Sequence, residues 1–266
     1  MAPAGSPGEQ PIERIRKLLR SDALDMEFQP IFDLGASEVV GVEALARFRM
    51  QPLRSPDAWF REAAAVGLGT EVEMVAVRRA LDALSHLSPD PMLSLNASPS
   101  TIASEEFFET LVNRAADRIV VEVKEAALVR NESALQRAFE RLRDIGMRLA
   151  VDDVRNDGES FAGILRLAPE FVKLDISLCR YIDLDEGRFH LVHDLVDLAL
   201  DAGADVIAEG IQSRTELEAL RRVGVRYGQG YYLALPGRLP LDGTTVFAQG
   251  VTVTTTSVPA LIQRSA

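Results

Sequence analysis

The chain has 266 residues, of which 47% are hydrophobic and 26% are charged, a composition that supports a sizeable core and argues against disorder. Its formal net charge of −11 excludes the basic surface that nonspecific binding to nucleic acid or anionic membranes requires. The chain has a single cysteine, Cys179, so an internal disulfide is excluded. It begins with a polar lead, MAPAGSPGEQ, and has no apolar run near the roughly 20 residues of a membrane span. We therefore expect a soluble cytoplasmic protein.

Short apolar runs alternate with amphipathic stretches along the chain. A helix is predicted at PIERIRKLLRS, and eight strands are predicted to begin at residues 26, 38, 92, 118, 147, 171, 204 and 228. The helical patterns between strands, such as SALQRAFERLRDIG and HLVHDLVDLALDAG, end at glycine. Strand and helix alternation repeated about eight times predicts an α/β fold, a (β/α)8 TIM-like barrel.

The two ends of the barrel pattern are irregular. The link LGAS between the first two strands is too short for a crossover helix, so the first strand is predicted to run antiparallel to its neighbour. After Pro236 the alternation stops, and the Thr- and Val-rich remainder is open between an extra strand, a partner contact and a loose tail. We therefore expect a lead and helix over 1–25, a barrel over 26–236 and an extension over 237–266.

Polar residues recur where the predicted strands end. They are Glu43, Asn96, Glu122, Asp152, Asp153, Lys173, Glu209 and Gln229. In a barrel these positions converge on one rim. A single acid there is usually a helix cap or a solvated turn, but several acids together repel one another unless cations bind between them.

The chemistry of these residues favours a hard cation. Carboxylate and amide oxygens without His or Cys favour Mg²⁺ or Mn²⁺, and the adjacent Asp152 and Asp153 could serve two ions. The three histidines, His86, His190 and His193, lie within helical patterns, where surface or core positions are expected. The sequence therefore predicts a magnesium or manganese site, with two ions expected.

Two basic residues have two interpretations each. Lys173 in FVKLD is either a structural ion pair with Asp175, two residues on along the same strand face, or an ammonium among the acids of the rim that holds water or phosphate. Arg47 is either a surface arginine or a phosphate clamp.

A series of motifs in order resembles the EAL-domain family, the bacterial cyclic-di-GMP phosphodiesterases. They are FQPIFDL with Gln29, EALAR with Glu43 and Arg47, LSLNAS with Asn96, VEVKE with Glu122 and Glu125, LAVDD with the aspartate pair, VKLD with Lys173, and VIAEG with Glu209 followed by GQGYYLALP with Gln229. The resemblance runs from about residue 26 to 236. Three residues such as EAL recur by chance, whereas motifs in this order are specific.

The resemblance implies metal-dependent hydrolysis of one phosphodiester bond of cyclic-di-GMP to linear pGpG. The implied metal ligands are Glu43, Asn96, Glu122, Asp152 and Asp153. Glu209 would orient or deprotonate the attacking water, and Lys173 would support water and phosphate. Gln29, Arg47 and Gln229 would contact substrate or order the rim, and Glu125 would support a loop. The resemblance also implies a homodimer, which the divergent loop would alter. Regulation by a protein partner is left open, and the acidic net charge argues against binding to DNA or membrane.

Three segments depart from the family pattern. The loop after the aspartate pair reads VRNDGES, in which Arg155 and Asp157 replace glycines and only Ser160 keeps its place. Lys124 replaces the threonine of the family's Glu-x-Thr-Glu motif, and Gln212 replaces a glutamate. We expect the Arg155 guanidinium to reach Asp152 or Asp153 and to compete there with a second cation.

Two functions from different classes remain open on the sequence. The intact set of metal-ligand candidates favours an enzyme, a cyclic-di-GMP phosphodiesterase whose turnover the divergent loop slows. The loop and Gln212 favour a degenerate EAL domain that binds cyclic-di-GMP, or a protein, without turnover. Another metal-dependent barrel enzyme is poorly supported because the order of the motifs matches EAL domains.

Overall fold

Eight strands close into a barrel, which confirms the predicted fold class. The computed structural model describes residues 10–87, 91–112, 114, 116–128, 132–155, 161–239, 246–247 and 251–252. The barrel strands are β1 (Leu24–Asp33), β2 (Glu38–Phe48), β3 (Met92–Asn96), β4 (Ile119–Lys124), β5 (Arg148–Val154), β6 (Phe171–Leu174), β7 (Asp205–Ala208) and β8 (Tyr227–Gly228).

Helices connect the strands from β2 onwards. Their bounds are α1 (Pro11–Leu19), α2 (Pro56–Ala65), α3 (Gly69–Asp82), α4 (Pro99–Ile102), α5 (Glu105–Leu111), α6 (Glu125–Leu128), α7 (Glu132–Asp144), α8 (Phe161–Leu165), α9 (Ile176–Cys179), α10 (Glu186–Asp201) and α11 (Arg214–Arg222), with 3₁₀ turns at Ala83–His86 and Ala116–Arg118. Among the residues that the structure describes, no helix combines the length and the apolar character needed to cross a bilayer.

The first strand runs against the rest of the barrel. β1 pairs antiparallel with both β2 and β8, whereas the pairs from β2 to β8 are parallel. The turn between β1 and β2 is stabilised by Asp33, whose Oδ1 accepts the backbone N–H groups of Gly35 and Ala36 at 2.9 and 2.8 Å. A tight turn of this kind joins antiparallel neighbours, so the prediction drawn from the short LGAS link is confirmed.

The last strand is much shorter than the prediction over residues 228–234. Only Tyr227 and Gly228 pair in the sheet. The chain turns at Gly230, where an added Cβ would lie 2.2 Å from the backbone nitrogen of Ile211. The backbone N–H of Tyr232 then donates to the Ile211 carbonyl at 3.0 Å. Close packing on the segment after β7 therefore ends the strand, which the apolar run GYYLA does not reveal.

Two layers of side chains fill the barrel on the path to its rim. The inner layer is apolar and comprises Ile31, Val120, Ala150, Phe171, Ile207 and Tyr227. Side chains two residues apart share one face of a strand. The next layer towards the rim is therefore polar: Glu122, Asp152, Lys173, Glu209 and Gln229 follow their apolar partners by two residues, and Gln29 precedes Ile31 by two because β1 runs in the opposite direction.

The segments outside the predicted barrel also contact it. On α1, Ile15 and Leu18 are buried in the main hydrophobic core, so this helix packs with the barrel although we placed it outside residues 26–236. Beyond the barrel, Gly237 exchanges two backbone hydrogen bonds with Phe28 of β1. In the extension, Val246–Phe247 and Val251–Thr252 form a small antiparallel pair, and the other residues after 239 lie outside the described ones.

The single cysteine should be inert in the native state. Cys179 is buried, its Sγ lies 3.7 Å from the carbonyl of Leu174, and burial raises the pKa of its thiol. Because the thiolate is the reactive form, we expect negligible reaction with Ellman's reagent in the folded protein and one equivalent of reaction in denaturant. Rapid modification of the native chain would contradict this burial.

Because folding raises the pKa of the Cys179 thiol, the free energy of unfolding should also fall above a pH of about 8.5, where the thiol of the unfolded chain ionises.

Candidate active site

A fully buried lysine stands at the centre of the polar layer. Lys173 Nζ lies 2.8 Å from Glu122 Oε2, 2.8 Å from Glu209 Oε1, 3.3 Å from Glu43 Oε2 and 3.3 Å from Asp152 Oδ1. The five side chains come from β2, β4, β5, β6 and the end of β7, so the barrel brings together residues that are far apart in sequence. The structure therefore places Lys173 among the acids of the rim, whereas a role in holding water or phosphate stays a prediction.

The cluster is deficient in positive charge. Four carboxylates and one ammonium carry a net charge of −3 if all are ionised. Burial and the Glu43 charge raise the pKa of Glu122 well above its usual value, and burial raises the pKa of Glu209 to about 7 against the opposing charge of Lys173. Burial alone would lower the pKa of Lys173, but the four carboxylates raise it. The cluster therefore requires protons or further cations.

Two amide side chains position Glu43. Burial alone would raise the pKa of this carboxyl, but the Lys173 charge and hydrogen bonds from Gln229 and Asn96 outweigh burial and lower it. Asn96 Nδ2 donates to Glu43 Oε1 at 2.9 Å, and Gln229 Nε2 donates to Glu43 Oε2 at 2.6 Å and to Glu209 Oε1 at 3.1 Å. Glu43 is thus held ionised, and Gln229 links it to Glu209.

The adjacent aspartates depend on an irregular backbone. In a regular strand, consecutive side chains point to opposite faces, so two adjacent acids could not both reach the rim. The pairing of β5 with β6 is irregular between Val151 and Val154, and Asp153 has a positive φ of 58°, a conformation that is uncommon outside glycine. Both aspartates consequently line the same cleft.

A second group of carboxylates lies beside the lysine cluster. One ligand oxygen from each of Asp152, Asp153 and Glu209 lies within 4.8 Å of the others. Lys124, at the end of β4, pairs with this group through Nζ to Asp153 Oδ2 at 2.8 Å. Partial burial acts to lower the pKa of Lys124, but the hydrogen bond and charge of Asp153 outweigh it and raise the pKa. The sequence analysis identified Lys124 as a departure from a motif but did not predict which residue it contacts.

Arg155 makes a different contact from the predicted one. We expected its guanidinium at Asp152 or Asp153, whereas Nη2 pairs with Asp175 Oδ2 at 3.1 Å. Asp175 also caps α9 by accepting the Ser177 N–H at 2.9 Å, so it is held by other partners than Lys173. The backbone N–H of Arg155 donates to buried Glu125 at 3.1 Å, which is the kind of loop support expected of Glu125. Residues 156–160 of the divergent loop lie outside the described residues.

The other predicted residues are spread from the rim to the surface. Arg47 lines the cleft and donates through Nε to Glu27 Oε2 at 2.7 Å. Gln29 is buried and donates to the carbonyl of Ala234 at 3.3 Å, a contact that orders the chain after β8. Gln212 is exposed, as are the three histidines, His86, His190 and His193.

One buried partner escaped the sequence analysis. Ser94 hydrogen-bonds through Oγ to Glu122 Oε1, on the opposite side of the carboxylate from Lys173. The signal was present, because Ser94 precedes Asn96 by two residues and so shares its strand face.

A cleft of about 480 Å³ opens above the two groups of carboxylates. This volume is within the range of small-molecule sites. Its lining combines the acids with apolar side chains such as Met26, Phe60 and Leu95. The arrangement can hold cations at its floor and an uncharged or aromatic group against its wall.

The motifs that form this cleft match a known family along most of the chain. The model of the EAL domain matches residues 12–236. The chain belongs to the EAL-domain family. Relatives include cyclic di-GMP phosphodiesterase NbdA of Pseudomonas aeruginosa, 30% identical over 88% of this chain, and cyclic di-GMP phosphodiesterase PdeB of Shewanella oneidensis, 23% identical over 84% of it. This EAL-family chain spans only 31% of NbdA and 28% of PdeB.

Solved EAL structures share the fold of this family member. PaMucR phosphodiesterase, in a complex with c-di-GMP, has a TM-score of 0.78 at 22% identity, covering 87% of this chain and 98% of that chain. A manganese and cy-diGMP complex of Klebsiella pneumoniae BlrP1 has a TM-score of 0.73 at 23% identity, covering 89% of this chain and 58% of that chain. At these identities the likeness establishes the EAL-domain barrel.

Proposed function

We propose that this EAL domain is a metal-dependent phosphodiesterase that hydrolyses one phosphodiester bond of cyclic-di-GMP to give linear pGpG. The observation that carries the proposal is the cluster of four carboxylates around Lys173 on the floor of the cleft. The net negative charge of this cluster favours the binding of divalent cations. These cations would also neutralise the two negative charges of a dianionic substrate. The named relatives and the complexed structures support the choice of substrate.

The donor atoms of the site fit a divalent cation. Asp152 Oδ1 is buried without a hydrogen bond, and Lys173 Nζ, at 3.3 Å, is the cation closest to it in the described part of the cluster. Carboxylates of Glu43, Glu122, Asp152 and Asp153 with the amide of Asn96 would supply the hard oxygen ligands that Mg²⁺ and Mn²⁺ prefer. We propose two ions, of which the second would be held by Asp152 and Asp153, beside Glu209.

The residues of the chain would divide the chemical work. A divalent cation in such a site lowers the pKa of bound water and neutralises charge that develops on the phosphate. Glu209, whose carboxyl is hydrogen-bonded by Gln229 at the floor of the cleft, would accept the proton of the attacking water. Lys173 would hold the carboxylates in place and donate to the water or the phosphate. Gln229 would fix the orientation of Glu209 through its hydrogen bond.

Substrate contacts follow from the walls of the cleft. Arg47 lines the cleft and is held by Glu27, so its guanidinium is oriented for a phosphate oxygen. Gln29 and Gln229 contribute from below by ordering the rim, since both donate to groups of the protein.

We further propose that the protein is a homodimer in the cytoplasm and that a protein partner can regulate it. Light scattering of the purified chain tests the dimer.

The alternative function is a receptor that binds cyclic-di-GMP without turnover. The observation that favours it is the ion pair of Lys124 with Asp153, which introduces a positive charge of the protein where the second group of carboxylates lies. A protein of this kind would bind the nucleotide and yield no pGpG.

Hydrolysis and its dependence on Glu209 decide between the two. We expect pGpG on chromatography after incubation with cyclic-di-GMP and Mn²⁺, and we expect Glu209→Gln to lower the rate by about 10²–10⁴-fold, since the variant loses the proton acceptor. Cyclic-di-GMP affinity should change far less. Glu218→Gln, an exposed acid on α11, is the control. Binding without pGpG in the native chain would establish the receptor, and an unchanged rate in Glu209→Gln would refute the assigned base.

A further inference from the structure

Lys124 contacts the second group of carboxylates through Asp153. Its Nζ lies 2.8 Å from Asp153 Oδ2, and Asp153 belongs to the group with Asp152 and Glu209 whose ligand atoms lie within 4.8 Å of one another. Lys124 stands at the carboxyl end of β4, opposite Asp152 in the pairing with β5. The ammonium therefore enters this group from the neighbouring strand.

The two lysines of the rim differ in how firmly they are held. Lys173 is inaccessible to solvent and contacts four carboxylates, so it is part of the barrel interior. The Lys124 side chain is 53% exposed and the Asp153 side chain 32% exposed. A half-exposed ion pair contributes little to stability, so the ammonium of Lys124 can leave Asp153 at small cost. Lys124 is thus placed to exchange with another cation.

We propose that Lys124 is a tethered cation that competes with a divalent ion for Asp153. The rim then has one tight divalent site and a second, weaker site at which the ion must displace the lysine ammonium. This inference deepens the proposed function, on which its relevance to catalysis rests. Two cations near one carboxylate repel each other, so the lysine ammonium and the ion each weaken the binding of the other to Asp153.

The lysine of the VEVKE motif, which replaces a neutral residue, would therefore change the metal concentration that fills the second site. At low metal concentration Lys124 occupies Asp153, and only the tight site is filled. At high metal concentration the second ion enters and the ammonium swings to solvent. The metal concentration that saturates the second site is therefore set by Lys124 and not by Arg155, which pairs with Asp175.

Counting bound Mn²⁺ tests the competition without reference to turnover. The free-ion electron paramagnetic resonance signal is titrated for the native chain, for Lys124→Gln, which keeps a polar side chain without the charge, and for Lys124→Arg, which keeps the charge. Exposed Lys17→Gln on α1 is the remote control. We expect Lys124→Gln to lower the Kd of the second Mn²⁺ by about tenfold or more, and Lys124→Arg and Lys17→Gln to leave it near the native value.

A double-mutant cycle locates the effect at Asp153. In the Asp153→Asn background, Lys124→Gln should change Mn²⁺ binding by less than about twofold, because the acid for which the cations compete is gone. An undiminished effect in that background, equal second-site Kd values in the native chain and Lys124→Gln, or no Mn²⁺ bound by either would each overturn the proposal. Chromatography for pGpG is read separately: its absence from every variant would count against the proposed hydrolysis, while a shifted Mn²⁺ Kd would still support the competition.

Discussion

Replacing Lys173 with methionine is expected to destabilise the metal-free fold by about 3–5 kcal/mol, the usual cost of removing one partner from a buried ionic cluster. Methionine retains much of the apolar stem but leaves Glu43, Glu122, Asp152 and Glu209 without their shared cation. The remaining carboxylates would repel one another in the barrel interior. The loss should therefore be large although the substitution itself creates little empty volume.

The destabilisation caused by Lys173→Met should depend on metal and on pH. Mn²⁺ should restore part of the stability of Lys173→Met, because a divalent ion supplies the missing charge. Lowering the pH should also help, because protonation removes the repulsion. The same sign holds for Glu209 in the native chain: its pKa of about 7 exceeds the unfolded value of about 4.3, so its contribution is present at low pH and is lost between these values as the pH rises.

Urea unfolding with EDTA and with Mn²⁺, at pH 5 and pH 8, measures these effects. Lys124→Met is the matched control, because it removes the other rim lysine from a half-exposed pair and should cost less than about 1 kcal/mol. Equal stabilities for native chain and Lys173→Met in EDTA would mean that the carboxylates are protonated and that Lys173 does not neutralise them. A stability that falls while the rate per folded molecule stays unchanged would restrict Lys173 to a structural role.

The positions of the rim residues followed from strand periodicity and from motif order. Because side chains alternate across a strand, an acid two residues beyond a buried apolar residue must share its face, as Glu122 does with Val120 and Lys173 with Phe171. Parallel strands in a closed barrel then bring such residues to one end. The antiparallel direction of the first strand could also be predicted, because the link after it is too short for the crossover that a parallel pair requires.

Contacts between long side chains could not be predicted in the same way. Arg155 and Lys124 both lie near the aspartate pair in sequence or in the sheet, and charge alone suits either of them to Asp153. The choice depends on the bend of β5 and the positive φ of Asp153, which no periodicity encodes. The early end of β8 has a similar cause, since it depends on the approach of Gly230 to Ile211.

Glu43→Gln is expected to abolish measurable hydrolysis, with a loss of at least about 10²-fold, while the fold persists. Glutamine has the same shape and keeps one acceptor oxygen, so part of the hydrogen bonding with Asn96 and Gln229 can remain. The negative charge is lost, however, and with it one of the oxygens proposed to hold the tight divalent ion. Mn²⁺ affinity should therefore fall together with the rate, whereas circular dichroism should be unchanged.

The comparison with Glu38→Gln isolates the position from the charge. Glu38 is an exposed acid on the same strand, and its neutralisation changes the net charge of the protein by the same amount without altering the rim. Native Mn²⁺ affinity in Glu43→Gln would remove Glu43 from the ligand set. A fall in affinity shared equally by Glu38→Gln would attribute the effect to the overall field of this acidic protein. A fall confined to Glu43→Gln would mean that the second strand carries a carboxylate at position 43, within the strand and not at its predicted end, because the rim binds a cation there.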